Sequence, residues 1–367
     1  MPSKASALPY GVSFKGAMYY AISTSLSLTV IFILVLKPLA EYVGLVDEPS
    51  FRKHHAGVVP LVGGVAIYAA LVLATAAFPA LQTRSSLGLI ALCLPIMAAG
   101  VADDRWEVSF KLRMALEILC CVAAAKWFDV RLLSFGELLP GVGVSLAWAG
   151  LPLTIVGIVG VMNAFNMIDG VDGLSGTLGC MTFLALAVLA SGTHPSVSQL
   201  LACIAGALFA FLLFNSRFFG RQKAAIFMGD AGTMLLGFAL GWHLVQLSQG
   251  RGAAFQPVTA LWIFAIPLMD TAAVTIRRVR RGQSPFHPDR GHLHHLLQSM
   301  DFGVRGTVLV ISIIHGSCII LAFAFRGFHI PQWVSFWLFL VMFAIYYAVT
   351  YRFSGNSVDV SQDTNIH

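Results

Sequence analysis

Residues 151–173 read LPLTIVGIVGVMNAFNMIDGVDG, an apolar run that ends in two aspartates. The run is close to the roughly 20 residues that an α-helix needs to cross the hydrocarbon core of a membrane. The carboxylates of Asp169 and Asp172 are costly to keep beside hydrocarbon, so acids in this setting are candidate functional groups. The stretch therefore indicates a membrane helix with polar chemistry at one end.

The rest of the chain repeats this pattern. Of its 367 residues, 57% are hydrophobic and 11% are charged, against roughly 25% charged in soluble domains. No internal repeat or long linker divides the chain, so residues 1–367 are expected to form one all-α, polytopic membrane domain. We expect the active site to be formed by its cytoplasmic loops. The eleven apolar segments predicted as spans are 17–39, 61–80, 87–102, 112–128, 151–166, 176–192, 197–216, 232–249, 257–276, 306–325 and 332–350.

The distribution of positive charge predicts the orientation of these spans. With eleven spans, alternate connections fall on opposite sides of the membrane. One set of connections carries most of the 23 lysine and arginine residues, and the positive-inside bias makes that set cytoplasmic. The N-terminus is then outside and the C-terminus inside. The same set holds the main acidic and histidine motifs, although it was chosen from lysine and arginine alone.

A pair of acids closes the third predicted span, in the sequence GVADDRWE at 100–107. Adjacent carboxylates such as Asp103 and Asp104 repel each other unless a cation or a proton lies between them. The pair is therefore a candidate Mg²⁺ site, or a base with an orienting acid. The alternative is a solvated helix end paired with Arg105 or Lys111.

Two further acids follow the fifth span. If the helix continues through Asp172, its three-residue spacing from Asp169 places both carboxylates on one face. Glycines at 170 and 173 would allow backbone amides to approach a ligand closely, and carboxylate oxygens suit Mg²⁺. The alternative is a glycine-rich turn with capping aspartates. Asn166 is ambiguous, because amides also join membrane helices to each other.

The sequence FMGD at 227–230 places a lone acid directly before a span. Asp230 is a candidate helix cap or a metal ligand. Its position on the predicted inner face, near Asn215, favours the metal. Asp270 lies within a span, where it could pair with a nearby arginine, and its role is left open.

Histidines and basic residues complete the candidate site. His292, His294 and His295 lie in the longest inner loop, and they could bind a transition metal, donate hydrogen bonds to phosphate, or form a solvated polar loop. The cluster at 277–281 is interpreted as topogenic, with anionic lipid headgroups as a further partner. The first inner loop supplies either a topogenic cluster or substrate contacts through Arg52, Lys53 and His55.

Taken in order and on one predicted face, these motifs resemble the polyprenyl-phosphate N-acetylhexosamine-1-phosphate transferase superfamily, or glycosyltransferase family 4. The resemblance covers about residues 45–297, and the motif-bearing region is about 44–300. It rests on GLVDEP at 44–49, FRKHH at 51–55, PLVGG at 60–64, NAFNMIDGVDG at 163–173, FMGD at 227–230 and SPFHPDRGHLHH at 284–295.

The resemblance implies a role for each acid. Asp103 and Asp104 match the paired catalytic aspartates of the superfamily, with Asp103 closer to the lipid phosphate. Asp169 and Asp172 match its second aspartate motif, which serves nucleotide binding and catalysis. Asp230 matches the Mg²⁺ ligand, and Asp104 is the second candidate ligand.

The resemblance also implies catalytic roles for the three histidines and a set of substrate contacts. Phe227 would stack near uracil, Asn215 would supply a nucleotide-side amide, and Arg290 would lie near the donor phosphates. The remaining residues expected around the nucleotide are Arg52, Lys53, His55 and Asn166. One departure is Leu293, which interrupts a histidine run that is continuous in the pentapeptide translocase branch. The departure disfavours the pentapeptide-bearing substrate of the translocase branch.

The implied reaction transfers GlcNAc-1-phosphate from UDP-GlcNAc to undecaprenyl phosphate, which would initiate O-antigen or other surface polysaccharide synthesis at the bacterial inner membrane. The resemblance implies Mg²⁺ as cofactor, with Mn²⁺ as a substitute. The expected partners are both substrates, membrane lipids and a second copy in a homodimer, but no nucleic acid. The alternatives are another UDP-N-acetylhexosamine donor or, in a different class, a divalent-cation or anion transporter. Transport needs polar groups near the midplane of the bilayer, whereas these acids cluster at one face.

Overall fold

The structure is a computed structural model that describes residues 14–48, 57–284 and 291–362. These residues form α-helices and two short antiparallel sheets. The helices are α1 Phe14–Val43, α2 Gly63–Ala77, α3 Arg84–Trp106, α4 Phe110–Trp127, α5 Gly150–Met167, α6 Leu174–Ala190, α7 Pro195–Asn215, α8 Gly229–Ser248, α9 Pro257–Ile263, α10 Ala265–Arg280, α11 Leu293–Ser299, α12 Val304–Gly327 and α13 Gln332–Gln362. The strands are β1 Val46–Asp47, β2 Val59–Pro60, β3 Ser134–Leu139 and β4 Val142–Ser145.

The predicted class is confirmed: the chain is an all-α, multi-pass membrane protein. Each of the eleven apolar segments is helical, but the count of eleven spans is not confirmed. Within the described residues, 6 helices are long and apolar enough to cross a membrane, or 7 if one bent pair counts as a single span. Helices α2 and α6 have only 15 and 17 residues, which is short for the hydrocarbon core.

The bent pair is the segment predicted as one span at 257–276. Helices α9 and α10 meet at an angle of 84°, with Phe264 between them outside helical geometry. Pro267 lies in the first turn of α10 and has no backbone N–H to donate to the carbonyl group of Ile263. The proline therefore begins a new helix more easily than it continues the old one.

The chain divides into two compact units, and its organisation as one domain stays a prediction. Of the described residues, the first unit comprises 14–48, 57–129, 179–215 and 225–235. In it, α1 packs against α2 and α7, and α3 packs against α2 and α4. Strands β1 and β2 pair antiparallel, with Val46 opposite Pro60. Helix α7 is buried along nearly its whole length, so it forms the core of this unit.

Of the described residues, the second unit comprises 130–178, 216–224, 236–284 and 291–362. In it, α10 packs against α5, α12 and α13, and the short α11 packs against α12 and α13. Strands β3 and β4 form a hairpin that turns at Gly141, where φ is 70°. Helix α9 packs against α12, α13 and β3. This packing fixes α10 and α11, which carry Asp270 and the histidine motif.

Candidate functional site

The first unit holds Asp230 at the start of α8. Gly229 precedes it with φ of 72°, a left-handed conformation that favours glycine. The carboxylate of Asp104 accepts hydrogen bonds from the backbone N–H groups of Asp230, at 2.8 Å, and Ala231, at 3.2 Å. These are two of the four N–H groups that a helix start leaves without an intrahelical partner. Asp104 therefore caps α8 from a distant part of the sequence and fixes Asp230, while its role as a metal ligand stays a prediction.

Glycines at the helix starts allow this close packing. The backbone N–H groups of Gly63 and Gly64 donate to the carbonyl groups of Phe227 and Met228, both at 3.0 Å. A methyl group on Gly64 would collide with the backbone of Gly232, and one on Gly63 would lie 2.6 Å from the ring of Phe211. The PLVGG motif is thus explained by its contact with the segment that positions Asp230.

Asp103 and Asp230 share one cation, the guanidinium group of Arg113. Nη1 of Arg113 donates to Oδ2 of Asp103 and, at 3.0 Å, to Oδ2 of Asp230. The two carboxyl groups also contact each other. Two acids that are far apart in sequence therefore lie together around one cation, and their roles in a site stay predictions. Arg113 was missed because it lies inside an apolar run, although a lone arginine in such a run is itself a signal.

Glu117 is a second residue that the motif analysis missed. It lies four residues after Arg113 on α4, is 7% exposed, and interacts electrostatically with Arg113 and Asp230. Its Oε2 has no hydrogen-bond partner among the described residues. A buried carboxyl oxygen without a partner is rare in folded proteins, so Glu117 belongs to the same charged group.

The oxygen donors of this unit fit a hard cation. The Oδ2 atoms of Asp103 and Asp230 already converge on one positively charged nitrogen. Among the described ranges, no set of three or more His, Cys, Asp or Glu side chains is arranged to hold a metal by itself. Mg²⁺ commonly takes one or two protein carboxylates and completes its shell with substrate phosphates and water, and its binding here stays a prediction.

The second unit holds Asp169 and Asp172, but not on one helical face. Helix α5 ends at Met167, and the chain turns through Gly173, where φ is 85°. The prediction that depended on a helix continuing through Asp172 is therefore wrong, because the glycine-rich sequence favours a turn. The carboxylate of Asp172 accepts from Nε of Arg217 at 2.7 Å and from the N–H of Ala224 at 3.3 Å. That of Asp169 accepts from the hydroxyl group of Ser175.

The histidine motif lies against this turn. A methyl group on Gly170 would lie 2.6 Å from Nε2 of His294, so the glycine backbone packs directly on the imidazole ring. Burial, and after it the neighbouring His295, lower the pKa of His294 to about 3. The rings of His292 and His294 are stacked with centroids 5.7 Å apart. The aspartate and histidine motifs of the second unit therefore come together, with His294 as a neutral ring.

Asp270 pairs with His292, whereas the sequence suggested an arginine as its partner. Its Oδ2 lies 2.7 Å from Nδ1 of His292, and its Oδ1 accepts from Leu293 N–H at 2.9 Å and from the hydroxyl of Tyr346 at 2.8 Å. Arg277, interpreted as topogenic, is 2% exposed and donates to the carbonyl group of Gly291 at 2.6 Å. Both α10 residues therefore hold the start of the histidine motif.

The structure describes fewer interactions for the other predicted substrate-binding residues. The side-chain amide of the buried Asn215 donates to the carbonyl group of Ile226 at 2.9 Å, which fixes the segment before Phe227. Asn166 lies half-buried in the last turn of α5. Their roles with a nucleotide stay predictions. The predicted site residues that lie outside the described residues are Arg52, Lys53, His55 and Arg290.

A mainly helical membrane chain with these acid and histidine clusters has the features of a glycosyl transferase that acts at a membrane. The chain matches the glycosyl transferase family 4 over residues 86–248, and it belongs to that family. The resemblance drawn from the motifs is therefore confirmed.

Three relatives show how far the similarity extends. A Haemophilus influenzae protein is 35% identical over 322 residues, which is 87% of this chain and 90% of the relative. An Escherichia coli K12 protein is 35% identical over 321 residues, and a Salmonella typhimurium protein 36% over 324 residues, each covering 87% of both chains. All three are named undecaprenyl-phosphate alpha-N-acetylglucosaminyl 1-phosphate transferase.

Proposed function

We propose that this protein transfers GlcNAc-1-phosphate from UDP-GlcNAc to undecaprenyl phosphate, giving GlcNAc-diphospho-undecaprenol and UMP. The names of relatives that cover 87% of the chain support the reaction. The observation that carries it is the shared contact of Asp103 and Asp230 with Arg113. A reaction between two phosphate-bearing substrates needs such a site, where positive charge is held between fixed carboxylates.

The chemistry is a phosphoryl transfer. An oxygen of undecaprenyl phosphate attacks the β-phosphorus of UDP-GlcNAc, and the bond from that phosphorus to the bridging oxygen breaks as UMP leaves. A phosphate monoester has a second pKa near 6 and is mostly dianionic at neutral pH, so little is gained by removing a proton from it. Asp103 therefore contributes by holding Arg113 in place for the lipid phosphate, and the contribution is mainly one of position.

Asp230 and Asp103 are the residues that would hold Mg²⁺, and Mn²⁺ would suit the same oxygens. When bound, the ion would neutralise charge on the donor diphosphate. The capping contact from Asp104 fixes the backbone of Asp230 at the start of α8, which keeps its carboxylate beside that of Asp103. Arg113 supplies a second positive charge, which is available to the phosphate of the lipid.

The second unit is proposed to serve the nucleotide. Asp172 fixes the side chain of Arg217, and Asp169 is held by Ser175. His292 has a carboxylate partner in Asp270, so it is suited to stabilise negative charge that develops on the phosphate of UMP. The neutral His294 would then be a packing and hydrogen-bonding group against the 169–173 turn.

We further propose that these motifs face the cytoplasm of a bacterial inner membrane and that the reaction begins O-antigen or related surface polysaccharide synthesis. The lysine and arginine bias of the motif-bearing connections supports this orientation. Tagged termini on intact cells and spheroplasts test it, because an inward C-terminus must be protected from external protease.

The test of the reaction is turnover by the purified protein in detergent micelles. With undecaprenyl phosphate and Mg²⁺, UDP-GlcNAc should yield UMP and the lipid diphosphate sugar, identified by mass spectrometry. Asp230→Asn should lose activity while keeping its fold. Asp129→Asn is a matched control, because Asp129 is exposed with φ of 59° and asparagine tolerates that conformation.

Parallel reactions with UDP-GalNAc and other UDP-N-acetylhexosamines identify the donor. Greater turnover of another sugar nucleotide would replace UDP-GlcNAc in the proposal. An inactive wild-type protein, or an Asp230→Asn variant with normal turnover, would contradict the assignment of the reaction or of the site respectively.

A further inference from the structure

The carboxylate of Asp270 is buried in the second unit with three hydrogen-bond donors around it. Oδ2 faces Nδ1 of His292 at 2.7 Å, and Oδ1 accepts from the N–H of Leu293 and the hydroxyl of Tyr346. The side chains of Asp270 and His292 are 4% and 7% exposed. A buried carboxylate is tolerated only when its oxygens are satisfied in this way, so the arrangement is fixed from three separate elements.

The geometry determines which ring nitrogen of His292 carries the shared proton. An ionised carboxylate can only accept hydrogen bonds, so Nδ1 must be the donor to Asp270. Nε2, on the opposite edge of the ring, is the nitrogen that Asp270 does not engage. When His292 is protonated, Nε2–H becomes a charged donor, and the carboxylate behind the ring stabilises that cation.

Helix α10 presents a second residue to the same segment. Arg277 lies seven residues, or about two helical turns, after Asp270, and it donates to the carbonyl group of Gly291 at 2.6 Å and to the hydroxyl of Thr350 at 2.9 Å. The chain is therefore held on both sides of His292. Side chains are also stacked along it, since the His294 ring lies parallel to that of His292.

We propose that Asp270 is a positioning residue, which orients His292 through its Nδ1–H and stabilises the cationic form of the ring, in which Nε2–H donates to an anionic phosphate of the sugar-nucleotide donor. The inference rests on the proposed function, because it supplies the phosphate. Asp270 itself touches no substrate. It acts through His292, where negative charge grows on the departing nucleotide monophosphate as its bond to the transferred phosphorus breaks.

A carboxylate that only capped the start of α11 would have the same contact with Leu293, so the test must separate the two roles. Asp270→Asn keeps an oxygen for that cap but turns an N–H donor toward Nδ1 and removes the charge. We expect kcat to fall on the order of 10²-fold with a small change in the KM for UDP-GlcNAc. Asp270→Glu, which keeps the charge, should recover part of the rate.

A double-mutant cycle gives the sharpest readout. If Asp270 acts through His292, Asp270→Asn combined with His292→Gln should be no slower than His292→Gln alone. Multiplied losses would overturn the inference, as would full activity of Asp270→Asn. If Asp270→Asn does not fold, the same cycle with Asp270→Glu decides the question.

Tyr346→Phe and Tyr347→Phe form a matched pair. Tyr346 donates to Asp270, whereas Tyr347 meets the exposed Arg280 at 3.2 Å. Removal of the Tyr346 hydroxyl should slow turnover several-fold, and removal of the Tyr347 hydroxyl should leave it unchanged. Equal effects of the two substitutions would count against an Asp270-specific role.

A readout without substrate separates this inference from the proposed function. In protein with ¹⁵N-labelled histidine rings, the signal that disappears in His292→Gln should show a protonated Nδ1, and this state should be lost in Asp270→Asn. An unprotonated Nδ1 in the wild type would overturn the inference. A wild type that shows the signal but does not turn over UDP-GlcNAc would refute the donor assignment alone.

Discussion

Replacing Asp104 by asparagine distinguishes a helix cap from a metal ligand. The Oδ1 and Oδ2 atoms of Asp104 accept the N–H groups of Asp230 and Ala231. An asparagine side chain keeps one acceptor and turns an N–H donor toward the other backbone N–H. The substitution also removes an anion from the positive end of a helix, which is worth about 0.3–1 kcal/mol.

The expected cost follows from these contacts. Losing an N-cap acceptor costs about 0.5–2 kcal/mol, and the partial exposure of the site argues against larger values. We expect Asp104→Asn to loosen the first turn of α8 by about 1–2 kcal/mol. Because 1.4 kcal/mol is a factor of about 10 in an equilibrium constant, Asp230 should bind the cation roughly 5- to 30-fold more weakly.

The assay is turnover as a function of Mg²⁺ concentration, with Asp230→Asn alongside. Asp104→Asn should need more Mg²⁺ for half-maximal rate and should approach the wild-type rate at saturation. Asp230→Asn should not recover at any concentration. A folded Asp104→Asn protein that stays inactive at saturating Mg²⁺ would refute the cap account and make Asp104 a direct ligand.

Three further predictions test other parts of the structure. Gly100→Ala would drive a methyl group into the backbone of Ala231. We expect the free energy of unfolding to fall by about 1–3 kcal/mol and most of the activity to be lost, as measured by thermal unfolding and turnover. An unchanged stability would contradict the packing. Burial lowers the pKa of His294 from 6.5 to about 3, so the unfolded chain binds the extra proton first and the free energy of unfolding should fall as pH drops from about 6.5 towards 3. His294→Gln should flatten that pH dependence in melting curves, and equal slopes would refute it. Because Arg113 occupies an oxygen of Asp103, we expect direct transfer, so radiolabelled sugar phosphate trapped on Asp103 without lipid acceptor would show a covalent path instead.

The helices were predictable because hydrophobic runs of this length have few other stable forms. The boundaries of the helices and the number of membrane spans were not predictable. One apolar run contains both α9 and α10, and the backbone leaves helical geometry between them at Phe264. The acid motifs were found because carboxylates beside hydrocarbon are rare. The partners of these acids were not found from the sequence. Arg113 lies within a predicted span, and the Asp270–His292 contact joins residues that are 22 positions apart.

The glycine motifs show the same limit. The sequence indicated that Gly63 and Gly64 belong to a motif, but not that Gly64 meets the backbone of Gly232. Such a contact depends on how α2 and the start of α8 pack, and no local sequence pattern predicts it. Likewise, Asp172 lies in a turn and not on a helix, because the glycine-rich sequence ends α5 at Met167.

The most direct test of the whole account is electron paramagnetic resonance of Mn²⁺ titrated into the purified protein. The shared position of Asp103 and Asp230 predicts one bound ion in the wild type and in Asp129→Asn, tightened by UDP-GlcNAc and absent from Asp230→Asn. Undiminished Mn²⁺ binding by a folded Asp230→Asn protein would contradict a cation site between these carboxylates.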